Sequence, residues 1–288
     1  MAERPPIQLL PDTLSNQIAA GEVVERPASV VKELVENSLD AGATEIEVTI
    51  EQGGKRLIRV SDNGHGMPAA QLELAVARHA TSKIHDTPDL FSIRTFGFRG
   101  EALSAIASVS HFSLESRTAD SAEGNALHLQ GGKEKRLEAA ALPVGTRISI
   151  SNLFFNTPAR LKFMRAERTE AGHVTDLVQR MVLSHPQVAF RLTINGREAL
   201  KVPAASDEAR LNKRLATVLG KEFLDNCLQV NAEQETMAVR GWLALPTLNR
   251  ANAQGQYFFV NGRPVRDKML IQVLRECYRD LMARDRYP

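Results

Sequence analysis

The sequence predicts an α/β protein of two domains, a larger one followed by a smaller one. Three observations carry that reading. Segments of strand period alternate with segments of helical period along the whole chain. The chain has 288 residues, more than a single compact core usually organises. A proline followed by small residues, Pro203-Ala204-Ala205-Ser206, breaks the pattern late in the chain, so the domains are expected at 1–205 and 206–288.

The elements follow in order. The first fifteen residues, with Pro5, Pro6 and Pro11, read as an extended arm. After Pro27, residues 28–41 read as a helix with Ser29 near its start and Gly42 as its stop. Residues 45–52 alternate Ile46, Val48 and Ile50 as a half-buried strand, and Gly53-Gly54 turns the chain into a second strand at 56–61. Residues 68–80 read as a helix. The stretch 91–109 is a glycine-punctuated loop running into a short helix. Strands are expected at 111–116, 125–130, 146–151 and 189–194, with a helix at 169–184. The second domain is expected to hold helices at 208–219 and 267–282 and strands at 228–230, 237–243 and 257–260.

Composition excludes several classes. With 43% hydrophobic and 24% charged residues the chain has an ordinary globular profile. Its 36 basic and 34 acidic residues leave a net charge of +2, so any contact with nucleic acid would have to come from a local patch. The two distant cysteines, Cys227 and Cys277, make neither a disulfide framework nor a zinc motif. No stretch reads as a signal peptide or a membrane span, and a cytoplasmic protein with no membrane partner is expected.

Three segments could carry chemistry. On the first helix, Val31, Leu34, Val35, Ser38 and Leu39 form the core stripe, and Glu33, Asn37 and Asp40 line one ridge opposite it. A solvated polar face is the plain reading. Under a pocket, the carboxylate could activate a water and the amide could face Mg²⁺, a hard cation that takes few protein ligands. Next, Asp62-Asn63-Gly64-His65-Gly66-Met67 follows a strand. It is either an ordinary turn or a place where a carboxylate accepts an exocyclic amine such as that of adenine, with glycines admitting a flat ligand. Third, Gly97-Phe98-Arg99-Gly100-Glu101-Ala102-Leu103 opens a helix whose free N–H groups suit phosphate, with Arg99 and Lys83 of Thr81-Ser82-Lys83 adding charge. A simple connection would look the same. No GxxxxGK[ST], strand-linked GxGxxG or HExxH string occurs.

The order of these three segments resembles the GHKL superfamily, which includes topoisomerase, chaperone and sensor-kinase ATPases. Ile18-Ala19-Ala20-Gly21-Glu22-Val23, the run from Glu33 through Gly42, the heptad from Gly97 to Leu103, Gly145-Thr146 and Asn156-Thr157-Pro158-Ala159-Arg160 narrow the resemblance to the MutL family of mismatch-repair ATPases. It extends over essentially the whole chain and is densest from Gln17 to Lys162. The resemblance implies an α+β two-layer sandwich of the GHKL (Bergerat) kind, followed by a smaller ribosomal-protein-like α/β domain. It also implies roles: Glu33 as general base, Asn37 as Mg²⁺ ligand, Asp62 on the adenine amine, and Asn63, Gly64, Gly66, Met67 and Thr146 around it. Thr81, Ser82, Lys83, Gly97, Phe98, Arg99, Gly100, Glu101, Ala102 and Leu103 would belong to the lid and phosphate cradle.

ATP and Mg²⁺ are the implied cofactors. The implied partners are a second copy in an ATP-dependent homodimer, DNA bound without regard to sequence, and mismatch-recognition and downstream repair proteins. Segments 1–20 and 69–96 are the expected ordering segments. Arg160, Lys162, Arg263, Arg266 and Lys268 are candidates for DNA contact, with solvated basic faces as the alternative. The family module continues past position 288 into strands bearing a lysine for the γ-phosphate, so slow hydrolysis, or a nucleotide-gated scaffold without hydrolysis, is also expected. Another GHKL ATPase is the remaining alternative, and the Gly97–Leu103 heptad speaks against it.

Overall fold

A computed structural model describes residues 21, 23–84, 86, 88–89, 95–97 and 100–288. The expected arm at 1–20, and Phe98 and Arg99 of the glycine loop, lie outside the described residues.

Helix α1 (Pro27–Asp40) starts with a proline at its first position, where the missing N–H has no intrahelical partner to lose. It buries Val30, Val31, Leu34, Val35 and Ser38. The strands β1 (Glu45–Glu51) and β2 (Leu57–Asp62) are joined through a one-turn 3₁₀ helix, Gln52–Gly54. Two short helices follow, α2 (Ala69–Ala75) and α3 (Ala102–Ser108), then β3 (His111–Arg117), β4 (Gly124–Gln130), β5 (Lys133–Ala140) and β6 (Gly145–Ser151). Helices α4 (Pro158–Phe163) and α5 (Glu167–Ser184) precede β7 (Ala189–Ile194) and β8 (Arg197–Val202).

These strands form one mixed sheet in the order β5-β4-β3-β6-β2-β1-β7-β8. The β1–β7 pair is parallel, while β1–β2, β2–β6, β6–β3, β3–β4 and β4–β5 are antiparallel. Side chains alternate across a strand, so the register decides which residues share a face. Leu192, Val48, Val60, Ile148, Leu114 and Leu127 stand opposite one another across six strands and make one apolar row. All six are buried. Alternate residues of β1 and β2 are exposed or half-buried. One covered face and one wet face is the signature of a two-layer α/β sandwich.

Two residues further along the same face, the row reads Phe190, Ile46, Asp62, Thr146 and Ser116. The covered face therefore turns polar at the ends of β2, β6 and β3. That change of chemistry within a single face marks where a ligand could sit.

The chain divides into two compact units. The larger includes Ala189–Lys201, and the second comprises Val178–Val188 with Val202–Pro288. The second unit thus takes in the last turns of α5. It holds α6 (Glu208–Leu219), α7 (Lys221–Asp225), the hairpin β9 (Cys227–Gln234) and β10 (Met237–Ala244), the short pair β11 (Phe258–Val260) and β12 (Arg263–Val265), and α8 (Lys268–Cys277). Asp207 and Asp267 cap α6 and α8, each carboxylate accepting from the backbone N–H three residues on, at 2.8 and 2.9 Å.

Some expectations differ in extent. The helix read at 68–80 ends at Ala75, because a tight turn at Leu74–Ala77 and a left-handed His79 (φ 61°) redirect the chain towards α1. The helix read to 282 ends at Cys277; Tyr278 leaves the helical path and donates its hydroxyl to the Ala244 carbonyl at 2.5 Å. Strands β5, β8 and β12 and helices α4 and α7 were not expected.

Within the second unit, His185 is 7% exposed. Burial holds its pKa below the ordinary 6.5; the Arg214 charge pushes the same way, and the Met181 carbonyl opposes both. A histidine with a depressed folded pKa binds fewer protons folded than unfolded below 6.5. Its contribution to stability is complete above that value and is lost as pH falls. Trp242, the only tryptophan, lies in β10 and reports on this unit. The urea midpoint read from its fluorescence should be lower at about pH 5.5 than at about pH 7.5, and His185→Gln should narrow the gap.

Candidate functional site

The polar row is organised from α1. Ser38, one residue beyond Asn37, donates its hydroxyl to Asp62 Oδ2 at 2.7 Å and reaches the Leu34 carbonyl at 3.2 Å. The Gly64 N–H donates to Asp62 Oδ1 at 2.9 Å. Burial raises the Asp62 pKa, while the Ser38 hydroxyl, the Gly64 and Thr146 amides and His65 pull it back down. Ser116 is buried beside this carboxylate; its Oγ donates to the Gly145 carbonyl at 3.0 Å, lies 2.9 Å from Thr146 Oγ1 and accepts from the Met67 N–H at 2.7 Å. A Cβ on Gly64 would stand 2.8 Å from the Ala41 carbonyl oxygen, and one on Gly145 (φ 128°) would stand 2.0 Å from the Asp62 carbonyl oxygen. Only glycine lets the turn close this tightly on the end of α1. Gly66 is likewise buried, against the Arg117 carbonyl.

Asn63, one of the residues expected around the nucleotide, uses its side chain within the turn. Its Oδ1 accepts from the Thr44 and Glu45 N–H groups at 2.9 Å each, and its Nδ2 donates to Thr44 Oγ1 at 2.8 Å. The amide braces the turn between α1 and β1, a common use of Asn beside a tight turn.

The ridge of α1 meets the second and third motifs. Lys83 Nζ donates to Asn37 Oδ1 at 2.8 Å and pairs with Asp40 Oδ2 at 2.5 Å. Asp40 also accepts from the Phe96 N–H at 2.9 Å and the Gly97 N–H at 3.3 Å. A Cβ on Gly97 would stand 3.3 Å from Lys83 Nζ and 3.8 Å from Asn37 Oδ1. Gly100 (φ 63°) closes against the Ala80 carbonyl. Thr81 Oγ1 accepts from the Lys83 N–H at 3.2 Å, and Ser82 is exposed. The Glu101 carbonyl accepts from the Ala105 N–H at the start of α3, and Ala102 and Leu103 form its first turn. Glu33, one turn before Asn37, is 28% exposed in its side chain and pairs with Lys32 at 3.3 Å.

The two ends of the site are joined within α1: Asn37 faces the lysine and the glycine loop, and the adjacent Ser38 faces Asp62. The donor set suits a nucleotide with its metal. Asn37 Oδ1 already faces a cation, the Lys83 ammonium. Among the described residues no group of three or more His, Cys, Asp or Glu could hold a metal. A magnesium here would rely on Asn37, phosphate oxygens and water, its usual preference. Asp40, Ser38 and Ser116 are the residues that the motifs did not assign. Asp40 stood on the ridge with Glu33 and Asn37, and Ser38 was a lone hydroxyl in an apolar stripe; those were the available signals. Ser116 had none.

The basic candidates fall in both units. Lys162, Arg263, Arg266 and Lys268 are solvent-exposed. Arg160 is half-buried, its guanidinium 5.8 Å above the Phe154 ring and donating to the Val24 carbonyl at 3.3 Å. A separate cavity of about 350 Å³ lies over β3–β6, lined by His111, Ser113, His128 and Arg136 among others. His111 and Ser113 alternate with the covered Phe112, Leu114 and Ser116 of β3, so they belong to the opposite face.

Comparison with known proteins bears on this arrangement. Residues 25–150 match the family described as "Histidine kinase-, DNA gyrase B-, and HSP90-like ATPase". Residues 215–288 match "DNA mismatch repair protein, C-terminal domain". Among solved structures, the Aquifex aeolicus MutL ATPase domain complexed with ADP is 36% identical, has a TM-score of 0.70 and is covered over 88% of each chain. The chain belongs to the MutL family. DNA mismatch repair protein MutL of Pseudomonas paraeruginosa is 49% identical over 289 residues, covering 100% of this chain and 46% of that protein. MutL of Rhizobium johnstonii is 52% identical over 282 residues, 98% of this chain and 46% of that protein. The chain therefore spans about half the length of the curated MutL relatives it matches. Among the described residues of this MutL-family chain, no helix is long and apolar enough to cross a membrane.

Proposed function

We propose that this chain binds ATP with Mg²⁺ and hydrolyses it as the nucleotide switch of DNA mismatch repair. The observation that carries the proposal is Asp62. It is a part-buried carboxylate at the polar end of the covered sheet face, braced by Ser38 and by the Gly64 and Thr146 amides. A part-buried carboxylate with a hydroxyl and N–H groups beside it is a ready partner for the amine and ring nitrogens of adenine. That the Aquifex aeolicus relative is complexed with ADP supports a nucleotide as the ligand.

Asn37 would hold the metal, which neutralises phosphate charge when bound. Glu33, one turn away, would take a proton from the attacking water. Lys83, Gly97 and the first turn of α3 would face the phosphates, with Asp40 holding lysine and loop against α1. Nucleotide contacts to these segments would exist only in the bound state, so binding would order the loop and favour an ATP-dependent homodimer. We assign 1–205 to the ATPase domain and 206–288 to a second, ribosomal-protein-like α/β domain. DNA, contacted without sequence preference through Lys162, Arg263, Arg266 and Lys268, and other repair proteins would be the partners of the closed dimer. The setting would be the cytoplasm, and the nucleoid when DNA is engaged.

The test is Asp62→Asn. A raised folded pKa means that keeping this carboxylate ionised at neutral pH costs stability. The variant should therefore keep its unfolding midpoint. Loss of a charged hydrogen bond should weaken ATP by about 10- to 100-fold, as read by titration calorimetry with Mg²⁺. Unchanged affinity would refute the adenine assignment.

A further inference from the structure

We propose that Arg160 is a positioning residue of the ATP site, clamping the entry of α1 to the strap that also holds the end of α3. The proposal rests on the reading of the site given above and gives Arg160 a role other than DNA contact.

The strap is residues 154–160, and its bonds run in two directions. Towards α3, the Phe154 N–H donates to the Val109 carbonyl at 2.7 Å, and Asn156 Nδ2 donates to the Ser108 carbonyl at 2.8 Å. Both acceptors are orphan carbonyls at the end of α3, the helix that the glycine loop opens. Phe154 is fully buried and held at φ 67°, a conformation that a phenylalanine adopts only where its surroundings require it. Towards α1, the Arg160 guanidinium covers the Phe154 ring and donates to the carbonyl of Val24, itself 1% exposed. It also lies directly on Gly21, where a Cβ would stand 1.9 Å from the guanidinium nitrogen. Val24 is three residues before Pro27, the first residue of α1.

One side chain thus joins the start of the helix that carries Glu33 and Asn37 to the end of the helix behind the glycine loop. Neither contact involves a residue assigned to the nucleotide. The clamp would set the distance between the base and metal ridge on one side and the phosphate loop on the other, and hydrolysis depends on such spacing far more steeply than binding does. A guanidinium already engaged by a carbonyl, an aromatic face and a glycine backbone is poorly placed for a phosphate in solution.

The experiment compares the wild-type chain with Arg160→Met, which keeps the apolar stem, Arg160→Lys, which keeps one donor and the charge, and Gly21→Ala, which displaces the guanidinium while leaving residue 160 an arginine. ATP affinity, single-turnover phosphate release, the unfolding midpoint and DNA affinity against salt are read for each. Arg160→Met and Gly21→Ala should release phosphate about 10- to 100-fold more slowly, with ATP affinity, midpoint and DNA affinity unchanged, and Arg160→Lys should recover part of the rate. Wild-type turnover in Arg160→Met would overturn the clamp, as would a rate loss that follows a fallen midpoint. Weakened DNA binding with intact turnover would return Arg160 to the DNA surface. A wild-type chain that binds no nucleotide would overturn the site assignment itself, and the clamp with it.

Discussion

Glu33→Ala is expected to bind ATP as the unmodified chain does and to hydrolyse it about 10²- to 10⁴-fold more slowly. The separation follows from where the residue stands. Purine recognition is assigned to Asp62 and the glycine turn, at the far end of the site and joined to α1 through Ser38. Glu33 lies a full turn before Asn37 on the ridge, partly exposed and paired, among the described residues, with its neighbour Lys32, itself shared with Glu36 at 2.9 Å. Removing it takes away a proton acceptor and no part of the sheet face that would hold the base. Equilibrium binding of a fluorescent ATP analogue, set beside single-turnover phosphate release, separates the two effects. Turnover at the unmodified rate would remove Glu33 from the chemistry, and lost binding would mean that it supports the pocket instead.

How much of this was legible in the sequence depends on what each residue is near. Strands β1, β2, β3, β4, β6 and β7 could be read because each alternates apolar and polar residues over a half-buried face. The two strands of this eight-stranded sheet that escaped, β5 and β8, are its two edges. Lys133–Ala140 carries five charged residues and Arg197–Val202 three, as edges that must not pair with another chain often do. Their strand character comes from a neighbour's hydrogen bonds and not from their own pattern.

The site divides in the same way. Glu33, Asn37 and Asp62 belong to strings whose spacing carries meaning by itself. Ser116 is brought beside Thr146 and Met67 only by the register of β3 on β6, which no local pattern encodes. Asn63 shows the converse. Within the string Asp-Asn-Gly-His-Gly it looks like part of the ligand cradle, yet its side chain meets three groups of a turn eighteen and nineteen residues earlier.

Arg214 illustrates what remained out of reach and supports the largest stability effect expected here. In the sequence it is one basic residue in an amphipathic helix. In the second unit it is 2% exposed, and burial lowers its pKa to about 10, so it stays charged at neutral pH. Its Nε and Nη2 donate to the Val182 carbonyl at 2.9 and 2.8 Å, Nη2 also to His185 at 2.9 Å, and Nη1 to Pro203 at 2.7 Å. Four residues after Val182 stands Pro186, which has no N–H, so the helix cannot satisfy that carbonyl itself. The guanidinium supplies the missing donor and places a positive charge at the negative end of α5.

Arg214→Met keeps the stem and leaves those carbonyls without their charged partner, at a cost of about 3 kcal/mol. That loss corresponds to a fall of about 1 to 3 M in the urea midpoint followed through Trp242. Arg214→Lys should recover only a minor part, because one ammonium cannot reach three carbonyls held apart in a fork. ATP affinity, which depends on the other unit, should not change. A midpoint unmoved in Arg214→Met would mean that water satisfies the end of α5 as well as the arginine does, and that the buried charge contributes nothing net to this fold.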